Sequence, residues 1–212
     1  MLMSGREVLK DWKANPQRTI PVGEPVEAVM RSVATTPENI NAADVRALTE
    51  WRNRFVTSFL TEFEADDKRT ERWLIDVVGP DPERILFMLD DLNGRTIGYL
   101  GLAFIDWEKL TAEADAFVRG VDDMPGIMKK AALALFGWGH RELGLTTAMT
   151  ARIRWDNPSL PFFLKISTEN RRVPLRAIEE PDMRRWVEDE SLASSPAGLV
   201  YITFHPHLYV SE

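Results

Sequence analysis

Ala114-Asp115-Ala116-Phe117-Val118-Arg119-Gly120-Val121-Asp122-Asp123-Met124-Pro125-Gly126-Ile127-Met128-Lys129-Lys130 decides how this chain is organised. Ala114 to Arg119 has the length of a strand and ends at Gly120. Val121 to Met124 is then a tight loop, and Pro125-Gly126 opens a helix that runs to about Leu143, with Gly144 as its stop. A strand that feeds a helix N-terminus through so short a loop leaves several backbone N–H groups unpaired, which is a phosphate site in outline. Lys129 and Lys130 oppose the helix dipole at about 0.3–1 kcal/mol each, a sign that a bound anion would reverse. On an ordinary helix the same pair is simply solvated.

Upstream, Pro16, Pro21, Gly23 and Pro25 punctuate the chain, and residues 1–25 are expected to be an N-terminal extension. Met30 to Thr35 is expected as a first strand. Ala42 to Phe63 carries Val45, Leu48, Trp51, Phe55 and Phe59 at helical spacing, and a second helix starts at Asp66-Asp67 and stops at Gly79-Pro80. The period then changes. Ile85 to Leu89 and Thr96 to Leu102 are short apolar runs joined by a loop that contains Asn93-Gly94, a strong hairpin signal. Downstream, Thr147 to Ile153 reads as a strand, Asn157 to Lys165 as a short helix and Arg172 to Ile178 as a strand. Met183 to Glu190 is expected to form a helical turn or two, and Leu199 to Phe204 the last strand. The order predicts an α/β (α+β) fold with a mixed sheet and at least one right-handed parallel crossover. Residues 26–180 would be the main domain, completed by the helix and strand of 181–212.

The 212 residues suffice for one generous domain, and 44% apolar with 28% charged residues excludes wholesale disorder. There is no cysteine, hence no disulfide framework, no thiolate zinc site and no cysteine nucleophile. With 26 basic against 33 acidic residues the net charge is −7, which argues against nucleic acid as a partner. His140, His205 and His207 are too sparse to suggest a metal site. No apolar run approaches the roughly 20 residues needed to cross a bilayer, and the first residues lack the core of a signal peptide. The expected location is the cytoplasm, with no membrane partner. The oligomeric state is open, and a homodimer is the assembly considered.

The loop-to-helix segment Arg119 to Met128, taken with Asp156-Asn157-Pro158-Ser159-Leu160-Pro161-Phe162-Phe163-Leu164-Lys165-Ile166, resembles the GCN5-related N-acetyltransferase (GNAT) superfamily. The second segment is similar to that superfamily's Asn-x-x-Ala-x-x-x-Tyr-x-Lys-x-Gly-Phe signature. The likeness covers roughly Ala28 to Ile178 and rests on joint spacing. It implies a sheet with helices on both faces and a pair of parallel neighbouring strands that splay apart. Acetyl-CoA, as co-substrate, would enter the gap with its pantetheine on the first strand and its pyrophosphate on the helix. Phe117, Val118, Arg119, Met124, Pro125, Gly126, Ile127, Met128, Asn157 and Phe163 would then form its site. The departures are specific. Placing Gly126 on the family's first loop glycine puts Asp123 where a basic or amide residue usually stands and Met128 at the final small position. Phe163 replaces the Tyr that protonates the departing thiolate, a proton that a phenyl ring cannot give. Ser167-Thr168 replaces Gly-Phe.

The resemblance also implies direct attack of an amine on the thioester, which needs a base, oxyanion donors and a proton for the thiolate. Backbone N–H groups near Phe117 to Arg119 are the expected oxyanion donors. Glu113 and Asp115 alternate onto one strand face with Phe117 and Arg119, and either is a candidate base. Tyr99 offers a further hydroxyl. The acceptor site would draw on Arg52, Arg54, Phe59, Phe104 and Trp107, although aromatic residues on the apolar stripe also serve a core. The expected function is acetyl-CoA-dependent N-acetylation of a small-molecule amine, with an amino sugar, free or nucleotide-linked, as the leading substrate. The alternatives are a protein or peptide N-acetyltransferase and a degenerate acyl-CoA-binding module.

Overall fold

The computed structural model describes residues 3–210. The chain opens with helix α1 (Gly5–Ala14), whose start is a reciprocal cap: Ser4 Oγ accepts from the Glu7 amide, and the Glu7 carboxylate accepts from the Ser4 amide. Strands β1 (Thr19–Val22) and β2 (Ala28–Ser32) follow, then helix α2 (Ala42–Arg54), capped by the Asn41 side chain. A short strand β3 (Thr61–Glu62) leads to helix α3 (Asp67–Trp73), which runs on as a wider π-helical turn over Leu74–Val78. Strands β4 (Ile85–Asp91), β5 (Thr96–Asp106) and β6 (Thr111–Arg119) form a meander. Helix α4 (Ile127–Leu143) then crosses to β7 (Thr150–Arg154), and helix α5 (Leu160–Phe163) precedes β8 (Ser167–Glu180), β9 (Met183–Glu188) and β10 (Gly198–Phe204).

The strands join in the order β1-β2-β4-β5-β6-β7-β10-β8-β9-β3. Among the described residues every pairing is antiparallel except β6 with β7, and that pair meets only at Glu113 and Thr150. Beyond this point the two strands part. β4 is buried at every position and β5 nearly so, because both faces of the central sheet are covered. One face carries α1 and α4, with Trp12, Phe87 and Trp138 packed edge to face. The other carries α2 and α3 through Val45, Leu48, Trp51 and Leu74 against Tyr99 and Val118. No helix among the described residues is long and apolar enough to cross a membrane.

Several expected elements differ. The helix expected over Ala42 to Phe63 ends at Arg54, because Thr61 and Glu62 pair with Arg185 and Arg184 of β9 and pull the chain into a strand. Met183–Glu188, expected as helical turns, is that strand, held along β8 from Leu175 to Glu180. The strand expected at Met30 to Thr35 lies at Ala28–Ser32 and is the second, after β1, and β8 is twice as long as Arg172 to Ile178. Residues 1–25 supply α1 and β1, whose Leu9, Trp12, Ile20 and Val22 are buried in the main core.

Lys13 ties α1 to the far face. Its ammonium donates to the carbonyls of Val78, Gly79 and Asp81 at 2.8, 3.2 and 2.5 Å, where the helix after α3 ends. A cation is the favoured group at such an end. Lys13→Met keeps the apolar stem and removes these bonds, so it is expected to lower stability by about 1.5–3 kcal/mol. For a chain of this size that is a drop of about 3–12 °C in Tm, measurable by differential scanning calorimetry.

Candidate active site

The site is built on an irregularity in β6. Tyr99 faces Val118 and Gly101 faces Asp115, so β6 has one residue more than β5 between these pairs. The extra residue is a bulge at Ala116, whose φ of +57° lies in the left-handed region and stores strain of order 1–3 kcal/mol. The bulge breaks the alternation expected for the strand. Asp115 and Ala116 both line a cavity on the α2 and α3 side, whereas Phe117 turns to the opposite face and packs on Phe136 and Phe163. Val118 returns to the α2 side beside Tyr99. Gly120 donates its N–H to Ile97 of β5. By the two-residue alternation of an antiparallel ladder, the amides of Arg119 and Phe117 therefore face β7, which has moved away.

The cavity has a volume of about 400 Å³, within the range of small-molecule sites. Asp115 forms part of its wall, 3.4 Å from Nη1 of Arg84. Its side chain keeps 40% of its area open and lines the recess. Burial pushes the carboxyl above the usual aspartate range, against the opposing pull of Arg84, the Ala116 amide and Arg152. Tyr99 lies flat against Trp51 at 6.1 Å with only 3% exposure, and among the described residues its hydroxyl makes no hydrogen bond. Burial pushes the phenol well above its usual value, so it stays protonated and keeps an O–H to donate. Arg52 and Phe59 share this wall, with the Arg52 guanidinium 4.0 Å from the Phe59 ring centroid.

Other residues singled out in the sequence lie elsewhere. Glu113 is held by Arg152 at 2.8 Å. Arg54 donates to the Gly120 carbonyl at 2.9 Å and pairs with Glu50, which locks α2 to the end of β6. Gly120 is required there: a Cβ would lie 2.1 Å from the Trp51 ring. Phe104 and Trp107 line a second, shallower recess beside Arg6. Sequence reasoning did not reach Phe63, Arg69, Trp73 or Arg84, all of which line the cavity. Phe63 alone carried a signal, as an aromatic residue at the end of the apolar stripe.

At the far end of β6 the helix start behaves as its sequence suggests. Gly126 caps α4 with φ +81° and no side-chain cap, and nothing lies within 4 Å of where a Cβ would be. Among the described residues its amide and that of Met128 find no acceptor, while Ile127 donates to Met124 and is itself core. Asp123 is held at 2.8 Å by Arg95, which also grips Asp91, so its charge is already answered. Arg119 pairs with Asp122 and Lys130 with Glu27, leaving Lys129 without a carboxylate within 4 Å. Met124 and Met128 pack on the core beside Pro125. Asn157 accepts from the Ser159 amide and shapes the turn into α5, and Phe163 stands edge-on to Phe117 at 6.1 Å. An open backbone cradle at α4 and a parted strand pair beside it fit an extended, anion-ended co-substrate of the acyl-CoA kind.

The sheet is thus opened at its parallel pair, with a bulge on one side and an uncapped helix start at its mouth. Comparison with known proteins agrees. The acetyltransferase (GNAT) domain model matches residues 38–160, more than half of the chain. The chain belongs to the GNAT acetyltransferase family, and its fold, with helices on both faces of the mixed sheet, is that of an N-acetyltransferase. A search of curated proteins finds no match. Among solved structures, a nucleotide-linked sugar GNAT in its apo form superposes with a TM-score of 0.61 at 14% identity, covering 91% of this chain and 92% of that one. The spermidine/spermine N-acetyltransferase from Vibrio cholerae gives 0.58 at 15% identity over 88% and 98%. A probable acetyltransferase gives 0.63 at 15% identity over 89% and 97%.

Proposed function

We propose that this protein transfers the acetyl group of acetyl-CoA directly to the amine of a small molecule, with a nucleotide-linked amino sugar as the leading acceptor. The observation that carries this is Asp115, set by the bulge into a closed-in cavity beside the opening between β6 and β7. A recess of about 400 Å³ suits a small amine better than a peptide laid in a groove.

In this reaction the amine nitrogen attacks the thioester carbonyl, the C–N bond forms and the C–S bond breaks. Asp115 takes the proton lost by the amine, directly or through one water. The Phe117 and Arg119 amides, aimed at the opening, supply donors to the developing oxyanion. Tyr99 holds its proton too tightly to give it to a thiolate and serves as a hydrogen-bond donor in the cavity. Phe163 has no proton to give, so the thiolate leaves as the anion and is protonated by water. Gly126, Met128 and Lys129 would hold the pyrophosphate.

Isothermal titration with acetyl-CoA is the first test, followed by thiol release with a panel of amines. Saturable binding and amine-dependent release are expected. No binding at millimolar acetyl-CoA overturns the proposal, and binding with no release for any amine points to an acyl-CoA-binding module.

A further inference from the structure

The charge of the cavity is opposite to that of the protein. The chain carries a net −7, yet the charged side chains lining the recess are Arg52, Arg69 and Arg84 against the single carboxylate of Asp115. Arg84 is partly answered, at 3.4 Å from both Asp81 and Asp115. The other two are not. Among the described residues neither Arg52 nor Arg69 has a carboxylate within 4 Å; nearby Glu62 is engaged by Arg154, Arg184 and Trp186.

Both free guanidinia are held in place without ion pairs. Arg52 donates through Nη2 to the carbonyl and hydroxyl of Thr61 and lies over Phe59 and Phe63 at 4.0 and 4.5 Å. Arg69 stacks on the same Phe63 ring at 3.6 Å. The aromatic faces fix the planes of the two cations without neutralising them. Nη1 of Arg52 is buried and has no hydrogen-bond partner in the protein.

The geometry points to an acceptor that carries an anionic group, a carboxylate or a phosphate, bound between Arg52 and Arg69, with its amine directed to Asp115. This rests on the transferase function proposed above and narrows its substrate. A compact space of this volume is roughly 9 Å across, so one small molecule reaches both ends. Two fixed guanidinia also exclude polyamines, whose several ammonium groups would meet like charge and only one carboxylate. An amino acid and an amino-sugar phosphate both satisfy the chemistry.

The test compares matched amines that differ only in the anion: an α-amino acid with its amide, and an amino-sugar phosphate with the free amino sugar, alongside spermidine. The anionic member of at least one pair is expected to have a kcat/KM at least 10-fold higher, and which pair responds tells carboxylate from phosphate. Arg69→Gln, which removes no ion pair or hydrogen bond, is expected to lower kcat/KM for that member about 10-fold or more and for its neutral counterpart less than 3-fold. Arg52→Lys, which keeps the charge but not the planar fork, should show the same selective loss. Titration calorimetry of the N-acetylated products, with the wild-type protein and Arg69→Gln, reads the anion site without turnover. Equal rates within both pairs, preference for spermidine, or equal product affinity for the wild type and Arg69→Gln overturns the inference. Failure to bind acetyl-CoA, by contrast, counts against the transferase function and leaves the product titration to decide the anion site.

Discussion

Asp115→Asn is expected to lower kcat/KM by about 10²–10⁴-fold, the usual contribution of a positioned base, without lowering Tm. The two halves of that expectation share one cause. Burial holds the carboxyl above its ordinary range, so it binds its proton more tightly in the fold than in the unfolded chain. A group shifted this way contributes stability below its unfolded pKa and loses that contribution as pH rises through the folded value. Near neutral pH the charged Asp115 therefore weighs against folding, and the neutral amide removes the penalty.

The pH profile carries the same signature. The acid limb of kcat/KM should lie above the range of an exposed aspartate and vanish in Asp115→Asn. Arg84 and Arg152 face this carboxylate and favour its charged form, so Arg84→Gln should move the limb to higher pH. A loss below 3-fold with an unchanged profile would place the base elsewhere.

Gly126→Val is expected to weaken acetyl-CoA binding about 10- to 100-fold, the value of one charged hydrogen bond of about 1.5–3 kcal/mol. The branched side chain would stand where a phosphate must approach the Gly126 and Met128 amides. At φ +81° any L-residue is strained by roughly 1–2 kcal/mol, but nothing lies within 4 Å of the new Cβ, so the fold should survive with a modest drop in Tm. Gly126→Ala separates the two effects, since it carries the strain with little of the bulk. Unchanged affinity by isothermal titration would move the pyrophosphate away from α4.

The helix start at Pro125-Gly126 and the hairpin at Asn93-Gly94 are legible because their signals are local: a glycine at positive φ and a short loop announce themselves in a few positions. What was not legible depends on distant partners. Thr61-Glu62 is a strand only because Arg184 and Arg185 pair with it. Met183 to Glu188 contains nothing that forbids a helix and takes its form from β8. The bulge at Ala116 has no residue signature at all, and it separates Asp115 from Phe117, which simple alternation places together. Arg54 looked like a ligand and is a latch on Gly120. Arg69 and Arg84 carry no local signal and stand in the cavity wall.

The two-residue β3 has a consequence out of proportion to its length. Through the Trp186 indole on Glu62, 124 positions away, and the Trp186 amide on the Leu60 carbonyl, the β8–β9 hairpin holds up the wall that Phe59, Thr61 and Phe63 give the cavity. The cradle at α4, in contrast, is written into one continuous stretch from β6 onward. For the function proposed above, the donor cradle and this part of the acceptor wall are therefore inherited on separate pieces of chain, while Arg52 and Arg69 stay with α2 and α3.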